Sequence, residues 1–157
     1  MSQLSTFHVG KYLFGVDVSL VQEVVRLQQM TPVPLAPGEI AGLINLRGEV
    51  LTAIDLRARL GLPPRDADSA VEPVNVVVRV DDEPVSLLVD EIGGVLEVSQ
   101  VPFEQTPSTV DEHVRDLLLG AYTLPDRLLL ALNARRVLHV GTHGGSAPVS
   151  PREPAVA

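Results

Sequence analysis

The chain has 157 residues, 45% of them apolar, and a formal net charge of −8. That length supports one compact domain, or two small halves sharing a core, and that apolar content argues against wholesale disorder. An acidic chain whose one lysine is Lys11, with no basic stripe interleaved with aromatics, disfavours nucleic acid and anionic membrane surfaces as partners. The lack of cysteine removes disulfides, thiolate nucleophiles and cysteine-ligated metals, and fits a reducing cytoplasm. Residues 1–6 lack a basic segment leading into an apolar core, so no secretory signal is expected. The longest strongly apolar run, Leu128 to Leu132, is far short of the ~20 residues a membrane helix needs. Valine and leucine dominate the apolar set, which favours strands over helices.

In chain order, Thr6 to Val9, a Gly10-Lys11 turn and Tyr12 to Val16 predict a hairpin. Asp17 or Ser19 then caps a short helical turn over Leu20, Val21, Val24 and Val25. Pro32, Pro34 and Pro37 mark an extended connection, with one helical turn expected over Glu39 to Ala41. A second hairpin follows, Leu43 to Leu46 and Val50 to Ile54, turning at Arg47-Gly48. Asp55 caps a short helix through Leu60, which Gly61 ends. Pro63 to Glu72 reads as a polar loop between halves.

The second half opens with a hairpin, Val74 to Val80 and Val85 to Val89, turning at Asp81 to Glu83. Gly93-Gly94 is expected to break the chain before a strand at Val95 to Val98. Leu117 to Leu124 and Leu128 to Leu132 form the last hairpin, and Asn133 caps a helix ending near Leu138. From Gly141 the chain turns to Gly, Ser, Pro and Ala, a composition expected to stay disordered through Ala157.

The two halves repeat each other. With Gly42 placed over Gly120, Leu46 falls on Leu124, Leu51 on Leu129, Ala53 on Ala131, Arg57 on Arg135 and Leu60 on Leu138. Asp55 falls on Asn133, and both suit a helix cap. Each half thus spells hairpin, strand, hairpin, capping residue, short helix, and predicts a small β-barrel. Each half alone, at about 70 residues, is marginal, so a shared core is expected.

Catalytic chemistry is hard to find. No glycine-rich phosphate loop, zinc-protease helix or nucleophile elbow occurs. His8, His113, His139 and His143 show no metal-ligand spacing. The acids at Asp81-Asp82-Glu83, Asp90-Glu91 and Asp111-Glu112 sit in expected turns, where solvation explains them better than a pocket that splits their pKa values. A small carboxylate-based enzyme is therefore the remote alternative. One constellation stands out: Gly42-Leu43-Ile44-Asn45-Leu46-Arg47-Gly48 puts a rigid guanidinium fork at a hairpin tip, where it is either a solvated turn charge or a partner contact.

At this motif the chain resembles the CheW chemotaxis coupling-protein family. The likeness runs through Tyr12 to Asp17, Val21 to Val24, Ile40 to Gly48, Ile54 to Arg57, Leu88 to Asp90 and Gly120 to Leu132. It covers about residues 5 to 140, read as a single domain of residues 1–140 ahead of the 141–157 tail. The resemblance implies two five-stranded, SH3-like β-barrel subdomains around a common core. The first spans about 15–65, with strands exchanged from both ends, and the second about 74–140. It implies no enzymatic activity and no cofactor or metal. The implied role is a largely monomeric cytoplasmic adaptor coupling the tips of chemoreceptors to the regulatory domain of a CheA-type histidine kinase. The same fold serving an array for surface motility or gene expression is the alternative. A fragment of the kinase itself is disfavoured because Met1 leads directly into the domain. Val21, Glu23, Gly42 and Arg47 match receptor-binding positions, and Val74, Ile92 and Val95 match second-half positions connected to kinase or receptor contact. Departures from the family pattern occur at Thr52-Ala53, at Ser86 and at Glu39 and Ala41, and bear on which receptor and kinase it pairs with. Glu23 and Arg47 are expected to meet as an exposed ion pair.

Overall fold

A computed structural model describes residues 2–26, 29–64 and 72–139. The chain is mostly β. In the first half, β1 (Gln3–Val9) and β2 (Tyr12–Asp17) form the opening hairpin and β3 (Val21–Arg26) follows. Next come the hairpin of β4 (Ile40–Leu46) and β5 (Glu49–Asp55) and the one-turn helix α1 (Leu56–Arg59). The second half has β6 (Val74–Val80), β7 (Glu83–Val89), β8 (Glu91–Glu97) and the short β9 (Phe103–Glu104). Helix α2 (Glu112–Arg115), the hairpin of β10 (Leu118–Thr123) and β11 (Leu128–Leu132), and α3 (Ala134–Val137) complete it.

The strands make a six-stranded sheet, ordered β8-β1-β2-β11-β10-β9, and a five-stranded sheet, ordered β3-β6-β7-β5-β4. The opening hairpin of each half has therefore crossed to the sheet built by the other half. β2 runs parallel to β11, Phe14 opposite Leu130, and β5 runs parallel to β7, Ile54 opposite Leu87. The halves are spliced by backbone hydrogen bonds as well as by packing.

Alternation assigns the two faces of each strand to different cores. Phe14 and Val16 of β2, Leu130 and Leu132 of β11, Ile54 of β5 and Val76 and Val78 of β6 enter one large cluster common to both sheets. The intervening residues face the other way. Leu13, Leu129 and Ala131 join a smaller cluster under the six-stranded sheet, and Leu51, Ala53 and Val77 join one under the five-stranded sheet. Burial on both faces is why Leu128 to Leu132 and Val76 to Val78 are unbroken apolar runs. Helices α1, α2 and α3 contribute Leu56, Val114 and Val137, all fully buried, to the common cluster. The shared core expected from the repeat is present.

Neither sheet closes into the expected five-stranded barrel; each rolls up and is fastened at a seam. Closing the smaller sheet needs β3 to pair with β4, but among the described residues only Thr31 and Leu43 bridge there, exchanging two 2.8 Å hydrogen bonds. In the larger sheet, β8 and β9 lie at opposite edges and are joined through a tight turn in which the Val101 N–H donates to Val98 O. That turn starts beside β1, where the Val98 N–H meets Ser2 O, and the chain then reaches β10, where Pro102 O accepts from Thr123 N–H. Three strand spacings, roughly 14 Å when flat, exceed the reach of such a turn, so the sheet must curl.

Local departures have local causes. The helical turn expected over Leu20 to Val25 is a single 3-10 turn, Val18–Leu20, followed by strand β3. The β-branched valines prefer the pleated ladder against β6. Asp17 does cap that turn, and the Ser19 N–H donated to it holds its carboxyl below the ordinary value. Glu39 to Ala41 forms no helical turn, because β4 begins at Ile40. Gly93-Gly94 does not break the chain; β8 runs through it. A side chain at Gly93 would strike Thr6, whose hydroxyl donates to Gly94 O at 2.6 Å, so glycine there permits close strand approach. Short β9 and α2 were not foreseen. Asp55 and Asn133 each cap their helix, accepting from Arg57 N–H and Arg136 N–H respectively. Most of the 63–72 loop and all of the 141–157 tail lie outside the described residues.

Side chains of α1 lock the two halves. Asp90, at the end of β7, accepts the Gly10 N–H at 2.7 Å and the Arg57 guanidinium at 3.0–3.2 Å. Arg59 reaches the last carbonyls of α3, Val137 O at 3.0 Å and Arg136 O at 2.9 Å, groups a helix leaves unsatisfied. Burial pulls the pKa of Arg59 below its ordinary value, with Glu39 opposing. Replacing Asp90 with Ala leaves both the Gly10 amide and the half-buried Arg57 without their carboxylate. A loss of about 3 kcal/mol is expected, checked by urea denaturation of wild type and variant. A variant as stable as wild type would show that water serves those donors equally well.

Candidate docking site

The turn Leu46-Arg47-Gly48-Glu49 is a two-residue hairpin with φ of +54° at Arg47 and +86° at Gly48. Two successive positive φ values define the primed turn that matches strand twist, and glycine suits the second position. Asn45 locks it further, its side-chain oxygen accepting the Gly48 N–H at 3.0 Å. The turn therefore fixes the start of the Arg47 side chain, which is 71% exposed.

Arg47 Nη1 donates to Glu23 Oε1, forming the expected ion pair. Its meaning comes from the topology. Glu23 lies on β3 and Arg47 follows β4, which are opposite edges of the five-stranded sheet. Flat, those edges would be roughly 19 Å apart. The pair thus spans the seam that Thr31 and Leu43 fasten elsewhere. Glu23 is only 20% exposed, so its carboxylate is held while the arginine stands proud of it. The hydrogen bond to Glu23 raises the Arg47 pKa above its ordinary value, so the guanidinium stays charged throughout.

Around this pair lies polar and apolar surface that sequence reading did not assign. Arg79 on β6 donates to Gln22 Oε1 at 2.9 Å and to Asp82 O at 3.0 Å, and approaches Glu49 at 3.7 Å. Val24, 43% exposed, follows Glu23, and Val50, 61% exposed, follows Glu49. Arg79 and Glu49 are thirty residues apart, and only the strand order places them together. Asn45 was visible as an Asn two residues before a glycine-bearing turn.

The other matched positions divide. Gly42 has φ of +154° at a bulge in β4, and an added Cβ would lie 2.8 Å from Thr31 O. Its repeat mate Gly120 has φ of +159° at a bulge in β10, with Glu104 O at 2.9 Å in the corresponding place. Gly42 thus seats the seam strand beneath which Met30 packs with Ala41 and Leu46. Val21 opens β3, Val74 opens β6 and Ile92 lies on β8, all half-buried against the common core. Val95, also on β8, is 54% exposed. Glu23 and Arg47 touch; Ile92 and Val95 belong to the other sheet.

Among the described residues no group of three or more His, Asp or Glu is placed to hold a metal, and no helix is long and apolar enough to cross a membrane.

The CheW-like domain family model matches residues 3–141, so the chain belongs to the CheW family. It is 34% identical over 137 residues to the chemotaxis protein CheW of Treponema pallidum, covering 86% of this chain and 81% of that one. It is 35% identical over 127 residues to the chemotaxis protein CheW of Rhizobium meliloti, covering 81% of each. The crystal structure of the scaffolding protein TtCheW from Thermoanaerobacter tengcongensis superposes with a TM-score of 0.78 at 26% identity, covering 89% of this chain and 94% of that one. The protein is a chemotaxis coupling scaffold, and members of its family are not enzymes.

Two substitutions separate docking from folding at this site. Gly42→Ala forces a strained backbone against Thr31, and a loss of about 1–3 kcal/mol is expected in chemical denaturation. Arg47→Ala removes an exposed, water-screened ion pair, and its melting temperature is expected within about 2 °C of wild type. Equal destabilisation by both would mean that the Arg47–Glu23 pair is a principal fastening of the seam.

Proposed function

We propose that the Arg47 turn and Glu23 form the receptor-docking end of a cytoplasmic adaptor that couples chemoreceptor tips to the regulatory domain of a CheA-type histidine kinase. The family supplies the role; the observation that supports the site is a charged fork on a glycine- and Asn45-locked turn, gripped from below by Glu23. Such an arginine is already ordered before it binds, so little side-chain entropy is lost on docking. A helical receptor tip offers carboxylates and terminal carbonyls that suit a planar donor, and Val24 and Val50, chain neighbours of Glu23 and Glu49, are exposed to apolar side chains of a partner. Val21 and Gly42 act here mainly by setting the edges of the seam. Val74, Ile92 and Val95 are read as a second contact region for kinase or receptor, with exposed Val95 its outermost member. The isolated protein is read as largely monomeric and joins arrays through its partners.

The test is binding of wild type and Arg47→Ala to a purified cytoplasmic receptor fragment and, separately, to the kinase regulatory domain. Arg47→Ala is expected to weaken receptor binding about thirtyfold, the cost of losing an anchoring interface arginine, with kinase binding little changed. Unchanged receptor affinity in the folded variant would remove this turn from the receptor site. Multi-angle light scattering of the protein alone checks the monomer.

A further inference from the structure

A cleft of about 260 Å³ opens in the six-stranded sheet, away from the seam that carries Arg47. Its polar lining is His8, Lys11, Thr109 and Arg127, and its partly exposed apolar lining is Tyr12 and Leu128, with Leu13, Val110 and Leu130 buried behind them. The chain carries 20 acidic residues against 12 Lys and Arg, yet no carboxylate lines this cleft. The one lysine of the molecule does.

The cations there are weakly committed. Lys11 Nζ stands 5.3 Å from the Tyr12 ring centroid and has no carboxylate partner among the described residues. Among the described residues the Arg127 side chain meets only its neighbour Asp126 at 3.8 Å, with both side chains more than half exposed, and His8 Nε2 at 3.5 Å. His8 Nδ1 is buried behind the wall and has no hydrogen-bond partner among the described residues. Asp111 lies nearby but is turned to the Tyr12 hydroxyl, at 3.4 Å, and is not part of the lining.

We propose that this cleft binds a small organic carboxylate. The anionic end sits between Lys11 and Arg127 beside Thr109, and a short hydrocarbon body lies against Tyr12 and Leu128. The volume lies just below the usual range of small-molecule pockets, which limits the ligand to a few carbons. Two cations without firm partners over an apolar floor match that pairing of charge and hydrocarbon, and neither an inorganic anion nor a neutral amide uses both walls.

The test is a titration of the full-length ¹⁵N-labelled chain with hexanoate, hexanamide and inorganic phosphate, followed by amide chemical shifts. Hexanoate is expected to give saturable shifts confined to residues around Lys11, Thr109 and Arg127, with the amide and phosphate giving little at the same concentrations. The Lys11→Gln, Arg127→Gln double variant is expected to raise the hexanoate dissociation constant at least about tenfold. Lys11 is exposed, so Lys11→Gln alone carries the test if the double variant does not fold. Equal binding of hexanamide, equal binding of phosphate, or unchanged affinity in the variants would each overturn the assignment.

Discussion

Everything in this molecule depends on two parallel strand pairs, β2 with β11 and β5 with β7. Each joins a strand of one half to a strand of the other, Phe14 to Leu130 and Ile54 to Leu87. Because opposed residues share a face of the sheet, both pairs, Phe14 with Leu130 and Ile54 with Leu87, enter one common cluster. Neither half owns a complete core, which resolves how units of marginal size give a stable whole. The Asp90 clasp and the Arg59 contacts close the remaining polar gaps across the same division.

Rolling the sheets without closing them creates the surface that matters. A closed ladder would satisfy every edge with backbone hydrogen bonds. Here part of the fastening passes to side chains, and Arg47 and Glu23 take one such position. The seam therefore presents charge at a fixed place where a barrel would present only strand.

Much of this was legible in the sequence. The repeat that set Gly42 over Gly120 reappears as two glycines at matching bulges with nearly equal φ. Asp55 and Asn133 cap helices as their chemistry requires. The Arg47–Glu23 contact followed from expecting two stretches to run close together. What stayed hidden was set by pairing over long sequence distances. The exchange of strands between the halves was implied by the family resemblance alone, and the Arg79–Glu49 approach and strand β9 leave no periodicity to read. Gly93-Gly94 read as a break because glycine also ends strands, and only the neighbouring Thr6 decides between the two. Ser86, a departure from the family pattern, is explained by a buried partner: its hydroxyl donates to Asn75 Oδ1 at 2.7 Å.

The crossing of hairpins also bears on how the chain is made. Strand β2 leaves a ribosome well before its parallel partner β11, which is encoded more than 110 residues later. At about 5–20 residues per second that is a wait of roughly 6 to 20 s. Throughout it the first hairpin has one edge unpaired and its Phe7 and Phe14 face uncovered. Contacts so distant in sequence close slowly, because loop entropy is lost before burial repays it. The topology that gives the finished protein a single shared core thus makes the nascent chain dependent on the late arrival of strand β11.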